Sequence, residues 1–349
     1  MRHARILGTG IFLPEKEIKN TELFGNIRNF DSIKARESLQ KRMVSADELS
    51  DEQVFDQWVK QVSGISGRRF FTEIDITGNS LHTSGSEVET MGALAARAAL
   101  SDAGLSADAV DAVIFATITA STIIPNPGCT VAHYLNIPNA ATLTVNTACS
   151  GFVDILGDAY AKIASGIHNT ILLITSEKFS HKVDMGDPTT AILFGDGAAA
   201  CVVGQSTEPG IQGYWSGSRI SDYIVMRENS FLKMGGGPLV QKNAVNAMYD
   251  AACRTLEITK TNFEDYDYVI PHQANVRILQ QLAHKMKIPE EKMLMTIDIT
   301  ANISCATIPS ALDMLRKNRL PQYPYTKGQK ILSTALGGGY TYAACAYTA

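Results

Sequence analysis

The chain is short of the features that mark several common classes of protein. Positive charge is not in excess: 31 Lys and Arg face 35 Asp and Glu, a net charge of -4, which excludes nucleic acid as a general partner because phosphates would go unneutralised. No uninterrupted apolar run reaches the length of a membrane span, so a soluble protein is expected. The apolar stretch from Ile6 to Pro14 follows basic residues but is brief, glycine-broken and without a cleavage site; it reads as a first strand. The six cysteines (129, 149, 201, 253, 305 and 345) include no CxxC pair, which argues against structural zinc and predicts a reduced, cytoplasmic protein. Gly8-Thr-Gly10 lacks the third glycine and the following helix of a dinucleotide loop. What is there, 349 residues with 45% hydrophobic and 19% charged, is an ordinary globular composition with room for a sizeable core.

Along the chain, residues 20–52 are densely charged and read as solvated helices and turns. Val54, Phe55, Trp58, Val59 and Val62 then recur at helical spacing, and Gly64 closes that helix. Ser86 and Glu89 form a capping-box pattern ahead of a helix that ends at Gly104. Strands are predicted over 112–118, 142–145 and 170–175, all continuous apolar or β-branched runs of the buried α/β kind. Asp196-Gly197 lies between two apolar runs, 191–194 and 198–203, and predicts a hairpin.

The second half repeats the first. Asn146 pairs with Asn302, Cys149 with Cys305 and Val113 with Val269, all 156 residues apart, so the region 295–305 is expected to form a strand and elbow like 144–149. The period is too long for a solenoid. Two units are expected, 1–205 and 206–349, packed as two sheets with the helices after Cys149 and Cys305 as a buried middle layer.

Cys149 falls where the strand of 142–145 gives way to an Ala/Gly-rich helix. Backbone N–H groups and the helix dipole at such a point favour a thiolate, predicting a pKa below the free value of about 8.5. The duplication brings Asn302 to the same cleft. His272, in Pro271-His272-Gln-Ala-Asn275, follows a buried strand, where loops commonly carry function. The other histidines (3, 82, 133, 168, 181, 284) lie on helix faces, loops or the terminus. Gly337-Gly-Gly339 has no Lys-Ser/Thr after it, so it is no phosphate loop, but it suits close backbone approach to a ligand.

Ala148-Cys149-Ser-Gly-Phe152, Pro271-His272-Gln-Ala-Asn275, Ala301-Asn302-Ile-Ser304 with Ile308-Pro309, and Leu336-Gly-Gly-Gly-Tyr-Thr341 resemble the motifs of β-ketoacyl-acyl-carrier-protein synthase III, in the thiolase superfamily, in order and with fitting spacing. The resemblance implies an α/β thiolase-like fold, internally duplicated in five α-β-α-β-α layers, and a homodimer working on an acyl thioester and malonyl carrier protein without metal or cofactor. It implies that Cys149 is acylated, that the N–H groups of Cys149 and Gly338 hold the oxyanion, and that His272 and Asn302 support decarboxylative Claisen condensation.

By the same resemblance, Trp58, Phe152 and Ile124 belong to the substrate pocket, Ile124 standing where acetyl-specific members carry an aromatic ring across the dimer interface. Arg277, Lys285 and Lys242 form the face for acyl carrier protein. Two arginines that usually accompany the tryptophan fall on Val62 and near Pro188, the residues flanking Asn302 are Ala301 and Ile303 instead of Gly and Thr, and the 20–52 segment is an insertion. These departures point to a primer longer than acetyl and to specialised metabolism. Acetyl-coenzyme A-dependent initiation of fatty-acid synthesis is the alternative, and so is a partner subunit that transfers acyl groups without condensation. A degradative thiolase lacks support because Ala335-Leu336 stand where its second cysteine belongs, and a Cys-His-His ketosynthase lacks support because Asn302 stands where its histidine belongs.

Overall fold

Two α/β units share one set of central helices in the computed structural model, which describes residues 2–42, 46–71 and 86–349. The first unit runs β1 (His3–Phe12), β2 (Glu17–Lys19), α1 (Asn20–Phe24), α2 (Ser32–Gln40), α3 (Asp51–Ser63), β3 (Gly67–Arg69), α4 (Glu87–Ala103), β4 (Ala112–Ala116), α5 (Pro127–Tyr134), β5 (Ala141–Val145), α6 (Gly151–Ala164), β6 (Thr170–Lys178) and β7 (Asp196–Ser206). The second runs β8 (Ile211–Ser218), β9 (Ile224–Val225), β10 (Lys233–Met234), α7 (Gly237–Thr259), β11 (Tyr268–Pro271), α8 (Val276–Met286), α9 (Ile297–Thr300), α10 (Thr307–Arg316), β12 (Lys330–Gly337) and β13 (Thr341–Thr348). His82 lies outside the described residues.

The sheets have matching order, β1-β7-β6-β4-β5 and β8-β13-β12-β11. Strand directions match too: β1/β7 and β6/β7 are antiparallel and β4/β6 parallel, as are β8/β13, β12/β13 and β11/β12 respectively. The apolar stripes sort into layers. Val113, Phe115 and Leu172 pack with α4 and α5 on one outer side, and Val269, Leu332 and Ala344 with α7 and α8 on the other. Phe152, Ile155, Leu156 and Ala159 of α6 and Ile308, Ala311, Leu312 and Leu315 of α10 fill the middle against both sheets. This is the five-layer α-β-α-β-α arrangement. The two glycines of Gly8-Thr-Gly10 serve packing: a Cβ on Gly10 would come within 2.3 Å of the Ala95 carbonyl oxygen, so α4 lies directly on β1.

Four local expectations give way to tertiary contacts. Residues 295–300 form no strand; only Met293 bridges Val269 in the direction of β5 beside β4. Buried Gln273 takes the ladder's place, donating to the Leu294 carbonyl (3.2 Å) and accepting from Thr296 N–H (2.8 Å), and α9 follows. The Asp196-Gly197 hairpin is absent because the chain before β7 pairs with the second elbow: Asn302 N–H donates to Leu193 (3.0 Å) and Gly195 N–H to Asn302 (3.1 Å). Ser86 precedes α4 without a side-chain cap, and Glu89 is buried, accepting from Ser121 N–H (3.3 Å). Finally, β5 is no buried strand but the sheet edge, with Leu143 44% exposed.

The charged insertion has a small core of its own. Phe30 meets Phe55 edge-on at 5.0 Å and Trp58 at 5.7 Å, while Leu39 and Ala35 close against Val54. α3 is closed by a capping box at Ser50 and by Gly64 at φ 82, a left-handed conformation that glycine adopts freely.

Candidate active site

Each half delivers one elbow to the centre of the molecule. In the first, β5 ends and a tight turn, Ala148–Ser150, leads into α6 at Gly151, with Ala148 at φ 49. In the second, Ala301 (φ 54) and Ser304 (φ 52) bracket Asn302 and Ile303 before α10 begins at Thr307. The two turns pack on each other. His272 enters from the end of β11, its N–H donating to the Thr334 carbonyl of β12 (2.9 Å). The glycine run leaves β12 beside the first elbow: a Cβ on Gly337 would lie 2.3 Å from the Thr147 carbonyl oxygen, so only glycine lets the loop come this close. Thr341 Oγ1 donates to that same carbonyl (2.7 Å) and locks the approach.

Cys149, His272, Asn302 and Gly338 line one cavity of about 750 Å³. Its far wall is apolar: Ile118, Phe179, Leu193, Phe194, Val225, Met226, Leu232 and Met234, with the Phe179 and Phe194 rings stacked at 4.5 Å. Arg277 and Asn275 line it as well. The apolar wall comes from segments far apart in sequence, so periodicity gave no sign of it.

The electrostatics differ from the expectation at Cys149. The thiol is pushed up to about 12, first by burial and then by the carboxylate of Glu177, while the Ser304 hydroxyl and the backbone at Cys149 pull it down. The dipole argument from sequence omitted this apolar enclosure and the carboxylate behind it. Glu177 is itself raised by burial, although Thr117 (3.1 Å), Thr119 (2.6 Å) and the Ile118 N–H (3.2 Å) donate to it. His272 is lowered to about 4 by burial, so its imidazole is neutral at ordinary pH. Its Nδ1 lies 2.9 Å from Thr307 Oγ1, which leaves Nε2 for the cavity. Asn302 Oδ1 accepts from Ser304 N–H (2.9 Å), leaving the amide NH₂ for the cavity.

Two residues assigned to the pocket, Phe152 and Trp58, lie elsewhere. Phe152 is sealed in the middle layer at 1% exposure, because it sits on the core face of α6. Trp58 lies outside the cavity lining, its ring packed against Phe30 and Phe55. Ile124 stands 89% exposed and does not line the cavity of its own chain. Of the basic residues, Lys285 bonds to Asn246 and sits 4.8 Å over the Tyr249 ring, and Lys242 flanks a groove between α7 and α8. Arg277 is half-buried and its pKa lowered, by burial and by nearby Arg42 of the insertion.

A duplicated five-layer fold that brings a cysteine, a neutral histidine and an asparagine to the junction of its halves defines the protein as an acyltransferase of the thiolase-fold condensing class. Residues 143–219 match the 3-oxoacyl-[acyl-carrier-protein] synthase III family, and residues 247–349 match its C-terminal part. The chain is 34% identical to a β-ketoacyl-[acyl-carrier-protein] synthase III of Bordetella petrii over 98% of its own length and 97% of the relative's. It superposes on the crystal structure of 3-oxoacyl-[acyl-carrier-protein] synthase III from Aquifex aeolicus with a TM-score of 0.83 and 31% identity, covering 99% of this chain and 100% of that one. The priming β-ketosynthase of the R1128 polyketide pathway gives 0.82 at 27% identity, covering 99% and 96%. The chain belongs to the β-ketoacyl-acyl-carrier-protein synthase III family.

Proposed function

We propose that this enzyme self-acylates on Cys149 with a primer longer than acetyl and condenses it with malonyl carrier protein, releasing carbon dioxide and forming a β-ketoacyl thioester. The observation that carries the reading is the single cavity joining Cys149, His272, Asn302 and Gly338 to a broad apolar wall. Acylation forms the Cys149 thioester and divides carbon–carbon bond formation into two easier steps. The N–H groups of Cys149 and Gly338 serve the oxyanion, and one such donor is typically worth about 10²–10³ in rate.

In condensation, the malonyl carbon–carbon bond to carboxylate breaks and its electron pair becomes an enolate. The Thr307 hydroxyl lies within reach of both the Ser304 carbonyl and Nδ1; when it turns to Nδ1, neutral His272 carries its proton on Nε2, and this donor and the Asn302 amide stabilise the enolate oxygen until its carbon attacks the acyl group and the acyl–sulfur bond breaks, releasing Cys149. The roles assigned here use no metal or cofactor.

Met226, Leu232 and Met234 give the wall an adaptable surface, since methionine fits irregular apolar shapes. Each methylene buried there contributes about 0.8 kcal/mol. Ile124 in place of an aromatic ring leaves further room where a second copy of the chain would close the pocket. The packing of the Trp58 ring against Phe30 and Phe55 and the absence of arginine at Val62 and near Pro188 favour a primer delivered on a carrier protein, and hence specialised metabolism in the cytoplasm. Carrier protein is acidic by family resemblance, and Arg277 at the cavity is the basic residue best placed to meet it.

Intact-mass measurement of acylation with acetyl, butyryl, octanoyl and decanoyl donors, on coenzyme A and on carrier protein, tests the reading. Cys149→Ala should take up none of them, and the native enzyme should favour the longer carrier-bound chains. A steady fall in kcat/KM from acetyl onward would refute the primer assignment.

A further inference from the structure

One residue of the second elbow bears on all three chemical groups. Ser304 is fully buried and held in the left-handed region at φ 52. Its N–H donates to Asn302 Oδ1 (2.9 Å), which turns the amide NH₂ toward the cavity. Its carbonyl accepts from Thr307 Oγ1 (2.9 Å), and that oxygen lies 2.9 Å from His272 Nδ1. Its own Oγ is buried without a hydrogen-bond partner among the described residues, on a turn, Ser304–Ala306, that packs against the turn Ala148–Ser150 carrying the Cys149 thiol. A buried hydroxyl without a partner is unfavourable, and its proton is therefore available to a neighbour that gains charge.

We propose that Ser304 donates a hydrogen bond from Oγ–H to the Cys149 sulfur and holds the thiolate for attack, while its backbone orients Asn302 and the Thr307–His272 pair. The surroundings give this donor its weight. The ionisable groups that face the sulfur's surroundings are His272 at the end of β11 and Arg277 on α8, which line the same cavity, with Glu177 on β6 and Cys305 on the second elbow, which act on the thiol. His272 is neutral, Cys305 donates from its own Sγ to the Glu177 carboxylate (3.3 Å), and among the described residues no lysine or arginine forms an ion pair with that carboxylate. A donor to a charged sulfur is stronger than one to a neutral partner, so the bond favours the ionised form. The serine keeps its proton throughout. Cys149 sulfur bonds to the acyl carbon, the donor's carbon–sulfur bond breaks, and the cysteine proton ends on the released thiol.

The proposal rests on Cys149 as nucleophile, which the acylation panel tests separately; alkylation needs no acyl donor and reads Ser304 alone. In the full-length protein, the rate of iodoacetamide alkylation at Cys149 is followed by peptide mass spectrometry from pH 7 to 10. Ser304→Gly keeps both backbone hydrogen bonds and accepts the left-handed φ without strain. Its profile should move up by about one pH unit, making alkylation about tenfold slower at a given pH, with malonyl decarboxylation by the acylated enzyme preserved. Ser304→Ala removes the same hydroxyl and should shift alike. An unmoved profile in Ser304→Gly, or a shift in Ser304→Ala alone, overturns the proposal. Parallel loss of decarboxylation in both variants also overturns it, because the residue would then act only as scaffold.

Discussion

His272 and Asn302 occupy different chemical positions from Cys149, although all three share one wall. In the proposed mechanism neither supplies the attacking atom, so His272→Ala or Asn302→Ala should retain self-acylation while malonyl decarboxylation falls by about 10²–10³, the usual scale for losing an oxyanion donor. Stopped-time mass measurement of acyl-enzyme beside carbon dioxide release separates the two steps; equal losses in both would remove the division of labour. Burial of His272 has a second consequence. Its folded pKa of about 4 lies below the unfolded value near 6.5, so the unfolded chain binds the extra proton between them. Stability linked to His272 is thus fully present above pH 6.5 and is lost as pH falls through 4, on the order of 3 kcal/mol in all. Urea unfolding at pH 7 and pH 4.5 should show the native protein losing more stability on acidification than His272→Gln.

Helix α8 joins the site to the surface. Asn275 caps it by accepting from Ile278 N–H (2.9 Å), which places Arg277 in the first turn, at the cavity, and Lys285 near the last. Arg277 has no ion-pair partner among the described residues, and the insertion brings Arg42 toward it. Arg277 at the cavity and Arg42 near it, neither with an ion-pair partner among the described residues, suit an acidic partner. Arg277→Glu should raise the KM for malonyl carrier protein at low salt and leave acylation from a small thioester unchanged. Equal KM values for variant and native enzyme would move the docking face elsewhere.

At the scale of the molecule, the first sheet ends at β5, an edge that no other strand pairs among the described residues. β5 carries Leu143 at 44% exposure, and Ile123 and Ile124 ahead of α5 stand 84% and 89% exposed. An edge strand with apolar neighbours invites pairing with another chain. A homodimer formed across β5 would cover these residues and bring Ile124 toward the second copy's pocket. Leu143→Asp should therefore shift sedimentation from dimer to monomer and lower condensation along with it. A dimer that survives this substitution would place the interface on another face.

The candidate site was legible in the sequence because its residue types stand at strand ends: Cys149, His272 and Asn302 each follow a β-branched or apolar run, the 156-residue repeat aligned two of them, and all three line one cavity. The layer order was legible for the same reason, since continuous apolar strands must be covered on both faces. What the sequence could not supply were quantities that depend on neighbours distant along the chain. The Cys149 pKa is set by burial and by Glu177, so a local dipole argument gave it the wrong sign. Phe152 and Trp58 carry family-pocket positions, but the core face of α6 and the insertion's Phe30 claim their rings. Residues 295–300 have strand composition, yet the amide of Gln273 takes the hydrogen bonds that a ladder would have made. Local pattern marks most of the elements and the residue types able to carry reactivity; only tertiary packing decides which predicted elements give way, which polar groups are desolvated and what shape the cavity takes, and desolvation sets the charge state of the cysteine.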